Sequence, residues 1–280
     1  MNFQTPAEVA AAVCTTGKVK AEMPIMKMVL LGILAGVYIG FGANLATRVA
    51  SASQGTGLDI FLFGAVFSVG LMMVVIGGAE LFTGNNLFCA GAVMHGQTSM
   101  GLLLLNWTVV FFTNFLGSLL LVYIIFNANY WGDASALTAQ GAQAVAIAKG
   151  KMSLDWYQAF LRGILCNWLV CMAVWLAVAA KDVIGKIFSC FFPIMAFVSS
   201  GFEHSIANMF FIPMGIHIAQ AAPEAAAAAE KVGMASAGDV VSFFTYGNFI
   251  MSNLIPVTLG NIFAGAVFVG GFYWFVYLRK

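Results

Sequence analysis

Long apolar runs broken by short polar stretches set the pattern of this chain. Lys18, Lys20 and Lys27 precede the first run, Met28 to about Ala46. Arg48 to Asp59 is a short polar loop, and a second run starts near Ile60 and carries no charge until Glu80. From Leu81 to Gly132 there is again no Asp, Glu, Lys or Arg. A bilayer crossing takes about 20 residues, so this stretch predicts a half-helix, a turn near His95-Gly96-Gln97-Thr98, and a third span. Asp133 to Lys151 is polar and Ala-rich and reads as a loop. The fourth span covers Trp156 to about Ala180, with Arg162 as its one charge. The fifth starts at Ile187, is interrupted around Ser199 to His204, and resumes to about Gln220. Ala221 to Asp239 reads as a low-complexity loop with a helical turn or two at Ala225 to Ala229. The sixth runs from about Phe244 to Leu278, longer than one crossing needs, so its first part reads as a surface or re-entrant segment. At the N-terminus, Thr5-Pro6-Ala7-Glu8 has the form of a capping box with Pro at N1. It predicts a short helix to about Thr16, lying on the membrane surface.

Two polar interruptions stand out. Gly201-Phe202-Glu203-His204-Ser205-Ile206-Ala207-Asn208 lies between Ile187 and Glu224, a stretch otherwise free of Asp, Glu, Lys and Arg. Gly78-Ala79-Glu80-Leu81-Phe82-Thr83-Gly84-Asn85 echoes it, with Gly, Glu and Asn coinciding. The copies are three spans apart. An odd number of spans per repeat inserts the second copy upside down, which predicts two inverted three-span repeats whose broken second and fifth helices meet near the midplane. Broken backbone at that depth is tolerated only where protein or water covers it. The whole chain, 1–280, is thus expected to be one all-α transmembrane domain. Residues 1–26 form a cytoplasmic N-terminal helix, 28–130 the first repeat, 131–154 a loop and 155–278 the second repeat.

Composition agrees. The chain is 61% hydrophobic and 8% charged, against roughly 25% charged in a soluble protein. The net charge of +1 leaves no excess for nucleic acid. Six spans put both termini on one side. Lys18, Lys20, Lys27, Lys181, Lys186, Arg279 and Lys280 fall there, and Arg48, Lys149, Lys151, Arg162 and Lys231 lie elsewhere. That bias favours cytoplasmic termini. The five cysteines show neither CxxC nor metal spacing and read as buried apolar side chains.

Ionisable groups at membrane depth mark pathways or partners. His204 titrates near neutrality when unperturbed, so beside Glu203 it reads as a proton relay or an anion-recognising donor; the plainer reading is a neutral ring bonded to backbone. Glu80 and Glu203 read as braces for the N–H groups that the breaks free, since a bare carboxylate would repel an anion. Thr83 offers a hydroxyl beside Gly84, where backbone can approach a permeant. Lys151, just ahead of the fourth span, is either an interface anchor or an anion funnel. Enzyme chemistry lacks its parts: His204 and Ser205 are adjacent and point apart, and no HExxH, Walker loop or GxGxxG occurs. Three histidines are too few for a haem pair within the bilayer, so no cofactor and no metal are expected.

Glu80-Leu81-Phe82-Thr83-Gly84-Asn85, the second octet with Met209 and Ile212-Pro213-Met214-Gly215, Gly163-Ile164-Leu165-Cys166-Asn167, and Asn253-Leu254-Ile255-Pro256-Val257-Thr258-Leu259-Gly260-Asn261 together resemble the formate–nitrite transporter family over nearly the whole chain. The resemblance implies an aquaporin-like six-span protomer with one pore, five protomers in a ring, in a bacterial or archaeal cytoplasmic membrane. It places the family's loop threonine on Thr83, its central histidine on His204 and its funnel lysine on Lys151. Its apolar constrictions fall on Phe67, Leu71, Leu81, Phe82 and Phe197. Glu203 and Asn208 then flank the pathway, with Glu80 and Asn85 as the repeat-related bracing. The implied permeants are small monovalent anions of weak acids, formate first, with nitrite and hydrosulfide beside it, moving with protons. Formate channels of the family tend to carry Asp where this chain has Glu80 and Ser-Thr where it has Gly84-Asn85, so the anion stays open. A neutral-solute channel of aquaporin type is the rival of another class; His204 and Lys151 argue against it.

Overall fold

Thr5 starts the first helix as its residues predict. Glu8 Oε2 accepts the Thr5 N–H at 2.7 Å and the Glu8 N–H reaches Thr5 Oγ1 at 3.4 Å. The bond from the Thr5 backbone, then that from its hydroxyl, holds the Glu8 carboxyl below the usual carboxylate range. The structure, a computed structural model, describes residues 3–52 and 55–279. Lys280, counted above with the cytoplasmic charges, lies outside them. Helix α1 (Pro6–Ala21) runs past Thr16. It buries Val9, Ala10, Val13, Gly17 and Ala21 against another helix, α5 (Phe82–Met94). A Cβ on Gly17 would strike the Phe88 carbonyl oxygen, so the two backbones touch.

Among the described residues five helices are long and apolar enough to cross a membrane. They are α2 (Ile25–Ser51), the pair α3 (Gly57–Phe67) and α4 (Val69–Gly77), α6 (Met100–Asn127), α8 (Trp156–Ala179) and a last helix over Tyr246–Tyr277. The remaining crossing is shared by α9 (Val183–Ser199) and α10 (Ser205–Ala221). The second crossing is likewise broken, between α4 and α5. No strand occurs among the described residues. The architecture is two three-crossing repeats, inverted because each holds an odd number of crossings.

Small residues let paired crossings approach closely. A Cβ on Gly36 of α2 would strike the Asn114 carbonyl of α6, and one on Gly117 the Ile33 carbonyl. In the second repeat Gly163 of α8 and Gly260 of the last helix stand against Val257 and Phe160 in the same way.

Both breaks begin at a glycine. Gly78 ends α4 at φ +81° and Gly201 follows α9 at φ +72°. That left-handed region costs an L-residue about 1–2 kcal/mol. No atom lies within 4 Å of where a Cβ would sit on either, so conformation rather than crowding requires glycine. The chain then extends, with Leu81 at φ −105°, ψ 123° and His204 at φ −109°, ψ 115°. The N–H of Glu80 donates to the Leu31 carbonyl at 3.2 Å, and the N–H of Glu203 donates to the Arg162 carbonyl at 3.2 Å.

Two expectations are corrected. The stretch read as a loop from Asp133 to Lys151 contains a 14-residue helix, α7 (Ala139–Met152). Thr138 caps it by accepting the Gly141 N–H at 3.1 Å, Lys149 and Lys151 suit its C-terminal dipole, and Gly141, Ala144, Val145, Ala148 and Met152 bury one face. The last helix has no re-entrant start. Tyr246–Tyr277 is one unbroken 32-residue helix that continues through π-turns at Phe249–Leu254 and Ala264–Gly271, and a separate short helix over Ala237–Phe243 precedes it.

Candidate functional site

Each break carries the same brace. In the first repeat, Lys20 Nζ lies 2.5 Å from Glu80 Oε1. Asn85 Nδ2 donates to Glu80 Oε2 at 2.8 Å and to Asn106 Oδ1 at 2.9 Å, and Asn106 Nδ2 returns to the Lys20 carbonyl at 2.9 Å. In the second, Lys151 Nζ lies 2.9 Å from Glu203 Oε1. Asn208 Nδ2 donates to Glu203 Oε2 and to Asn253 Oδ1, both at 2.7 Å, and Asn253 Nδ2 returns to the Lys151 carbonyl at 3.0 Å. The lysines also lie over aromatic rings, Lys20 5.5 Å from the centroid of Phe88 and Lys151 5.4 Å from that of Phe211. Buried charge is tolerated where it is paired and its remaining lone pairs are filled, and both carboxylates meet that condition.

A second asparagine in each repeat clamps the extended residues. Asn114 Nδ2 donates to the carbonyls of Gly32 and Glu80 at 2.8 and 2.9 Å, while its Oδ1 accepts the Phe82 N–H at 3.0 Å. Asn261 Nδ2 donates to Gly163 and Glu203 carbonyls at 2.8 and 3.1 Å, and its Oδ1 accepts the Ser205 N–H at 3.0 Å. The polar backbone that a break exposes at membrane depth is thereby satisfied from the third crossing of each repeat.

Symmetry fails at the centre. Thr83 Oγ1 and His204 Nε2 are 2.9 Å apart, both buried. His204 Nδ1 accepts the Ala207 N–H at 3.0 Å, so the ring caps α10. An acceptor nitrogen carries no proton, which puts the proton of the neutral ring on Nε2, donating to Thr83. The Thr83 hydroxyl hydrogen is then free for another acceptor. Asn167 Nδ2 holds the Thr83 carbonyl from behind at 3.2 Å. The helices α5 and α10 both start here and aim their positive N-terminal ends at one region.

Two cavities flank this centre. One, of about 330 Å³, is lined by Lys151, Arg162, Glu203, His204, Phe67 and Phe197 among others. The other, of about 340 Å³, is lined among others by Lys20, Glu80, Leu71, Leu81, Asn85 and Lys186. Phe197 stacks on His204 with centroids 5.9 Å apart and meets Phe67 edge-on at 6.0 Å. Phe82, expected with the constriction, lines neither cavity; it packs against Phe111 and Trp107, 5.0 and 6.3 Å between centroids. Leu81 is the last extended residue and Phe82 the first helical one, so they face different ways. Asn208 is fully buried in its brace and touches neither cavity. Sequence reasoning missed Lys20, Asn106 and Asn114. The signal was there: Asn106 and Asn114 share the spacing of Asn253 and Asn261.

Two half-helices meeting N-terminus to N-terminus between charged vestibules, inside an inverted repeat, define a membrane channel or transporter of aquaporin-like architecture. Residues 7–275 match the family described as Formate/nitrite transporter. A protein of Methanothermobacter thermautotrophicus named "Probable formate transporter" is 43% identical over 100% of this chain and 99% of its own length. Formate channel FocA of Escherichia coli K12 is 38% identical over 98% of this chain and 95% of its own. A solved pentameric formate channel with formate bound superposes with a TM-score of 0.77 at 40% identity, covering 91% of this chain and 98% of that one. The chain belongs to the formate/nitrite transporter family.

Proposed function

We propose that this protein conducts formate, or a similar small monovalent weak-acid anion, through one pore per protomer in a homopentamer. Its place is the cytoplasmic membrane of a bacterium or archaeon, with both termini cytoplasmic, and it is a transport protein rather than an enzyme. The observation that carries the reading is the Thr83–His204 pair. It lies between two vestibules that each contain lysine, behind apolar Phe67, Phe197, Leu71 and Leu81.

A bare anion entering an apolar ring loses hydration worth several kcal/mol. Three groups offset that loss: the N-terminal ends of α5 and α10, and the Thr83 hydroxyl that His204 orients. His204 helps as a neutral donor. To shuttle a proton the ring would have to protonate Nδ1 and release the Ala207 N–H, about 1 kcal/mol of capping. The Nδ1 bond therefore supports a fixed donor over a relay. Nitrite and hydrosulfide fit the same donors, and the relatives' names favour formate. The repeats are placed at 28–130 and 155–278, with the brace lysines Lys20 and Lys151 supplied from just outside each range.

The test is flux in proteoliposomes with a panel of formate, nitrite, hydrosulfide, chloride and glycerol. Formate flux well above that of chloride and glycerol is expected. Glycerol flux without formate flux would move the protein to the neutral-solute class.

A further inference from the structure

Each vestibule holds two cations and one carboxylate. On the His204 side these are Lys151, Arg162 and Glu203; on the other they are Lys20, Lys186 and Glu80. The Lys151–Glu203 and Lys20–Glu80 pairs neutralise themselves, and each lysine is further fixed through its own carbonyl and a neighbouring ring. Among the described residues Arg162 and Lys186 have no ion pair and no side-chain hydrogen bond. The fold does not demand them either. Leu31 makes the backbone contact in the first repeat that Arg162 makes in the second, and it is apolar. Lys186 lies 123 residues after Phe63, the interval that separates the two octets, and Phe63 lines the opposite cavity. A charge in an apolar crossing that symmetry does not require and no carboxylate cancels calls for a use.

From this we infer that Arg162 and Lys186, one at each mouth, collect the permeant anion, and that Lys151 and Lys20 are braces whose charge is already spent on Glu203 and Glu80. Each mouth thus carries one uncompensated positive charge, which raises the local concentration of a monovalent anion. The inference rests on the anion reading above and divides the lysines and the arginine into two roles within it.

The test is the concentration dependence of initial formate flux, with side-defined preparations: intact cells for one mouth and inverted vesicles for the other. Arg162→Gln is expected to raise the half-saturating formate concentration from the Arg162 side by about 2- to 5-fold at ~0.01 M ionic strength. That is the factor a unit charge within roughly 5–8 Å gives at near-aqueous dielectric. At ~1 M salt, where the screening length is about 3 Å, variant and parent should coincide, with the maximal rate within about 2-fold throughout. Arg162→Lys should restore the parent curve. Lys186→Gln should do the same from the other side only. An unchanged half-saturation at low salt overturns the inference, as does an Arg162→Lys variant that behaves like Arg162→Gln. So does a change accompanied by loss of the oligomer on size-exclusion chromatography, which would make Arg162 a subunit contact. A parent protein that moves no formate, nitrite or hydrosulfide is a different result, since it refutes the anion reading before the variants are compared.

Discussion

Thr83 and His204 touch at 2.9 Å although they are not repeat partners. The counterpart of His204 in the first octet is Leu81, and the counterpart of Thr83 in the second is Ile206. The polar centre is therefore made by replacing an apolar residue once in each copy, at different positions, so that one hydroxyl meets one imidazole. The braces and the asparagine clamps around it obey the two-fold relation; the pair itself breaks it.

His204→Asn keeps the cap, since its amide oxygen stands where Nδ1 accepts the Ala207 N–H, and it leaves a neutral N–H donor facing Thr83 at shorter reach than Nε2. Formate uptake by this variant should persist and keep the parent's dependence on external pH, because the ring it replaces acts as a fixed neutral donor. A profile flat from about pH 5 to 8, the range a histidine covers, would assign proton shuttling to the ring. His204→Phe, with neither donor nor cap, should abolish uptake while leaving the oligomer intact on native gels.

Glu203→Gln leaves Lys151 in a largely buried site without its counter-charge. Removing one partner of a buried pair costs about 3–5 kcal/mol, and the partial exposure of Lys151 puts this case at or below the lower end. A matching loss is expected for Glu80→Gln, because the donors are the same. Thermal unfolding in detergent should show two similar drops in Tm, and pairing Glu203→Gln with Lys151→Met should recover part of one. Unequal drops would mean that the two braces are equivalent in outline only.

Gly78→Ala and Gly201→Ala should each lower stability by about 1–2 kcal/mol, the cost of left-handed backbone for an L-residue. No neighbour would clash with the added methyl group, so larger side chains at these positions should cost little more. A graded loss with side-chain size, followed by detergent melting, would point to crowding instead.

Native mass spectrometry of the purified protein should give five protomers. A stable monomer or tetramer would be incompatible with the assembly proposed here.

Much of the fold could be read from the chain because the octets share glycine, glutamate and asparagine at matching places. Gly78 and Gly201 mark the breaks, and Glu80 and Glu203 mark the braces. What stayed hidden depends on packing across long separations. Nothing local ties Lys20 to Glu80, since α1 reaches that carboxylate only by docking on α5. The alanines of α7 read as a polar linker because their burial pattern is faint: alanine covers little area, and the helix owes its existence as much to Thr138 and α10 as to its own face.

The matched braces have a consequence for direction. Both mouths hold the same Lys–Glu–Asn brace beside recesses of nearly equal size, about 330 and 340 Å³, one lined further by Arg162 and His204 and the other by Lys186. The matched braces lead to the expectation that the pore conducts in both directions. Net movement then follows the sign of the gradient across the membrane. One protein would serve a cell that excretes its anion in one phase of growth and retrieves it in the next, with no part of the fold needing to change over.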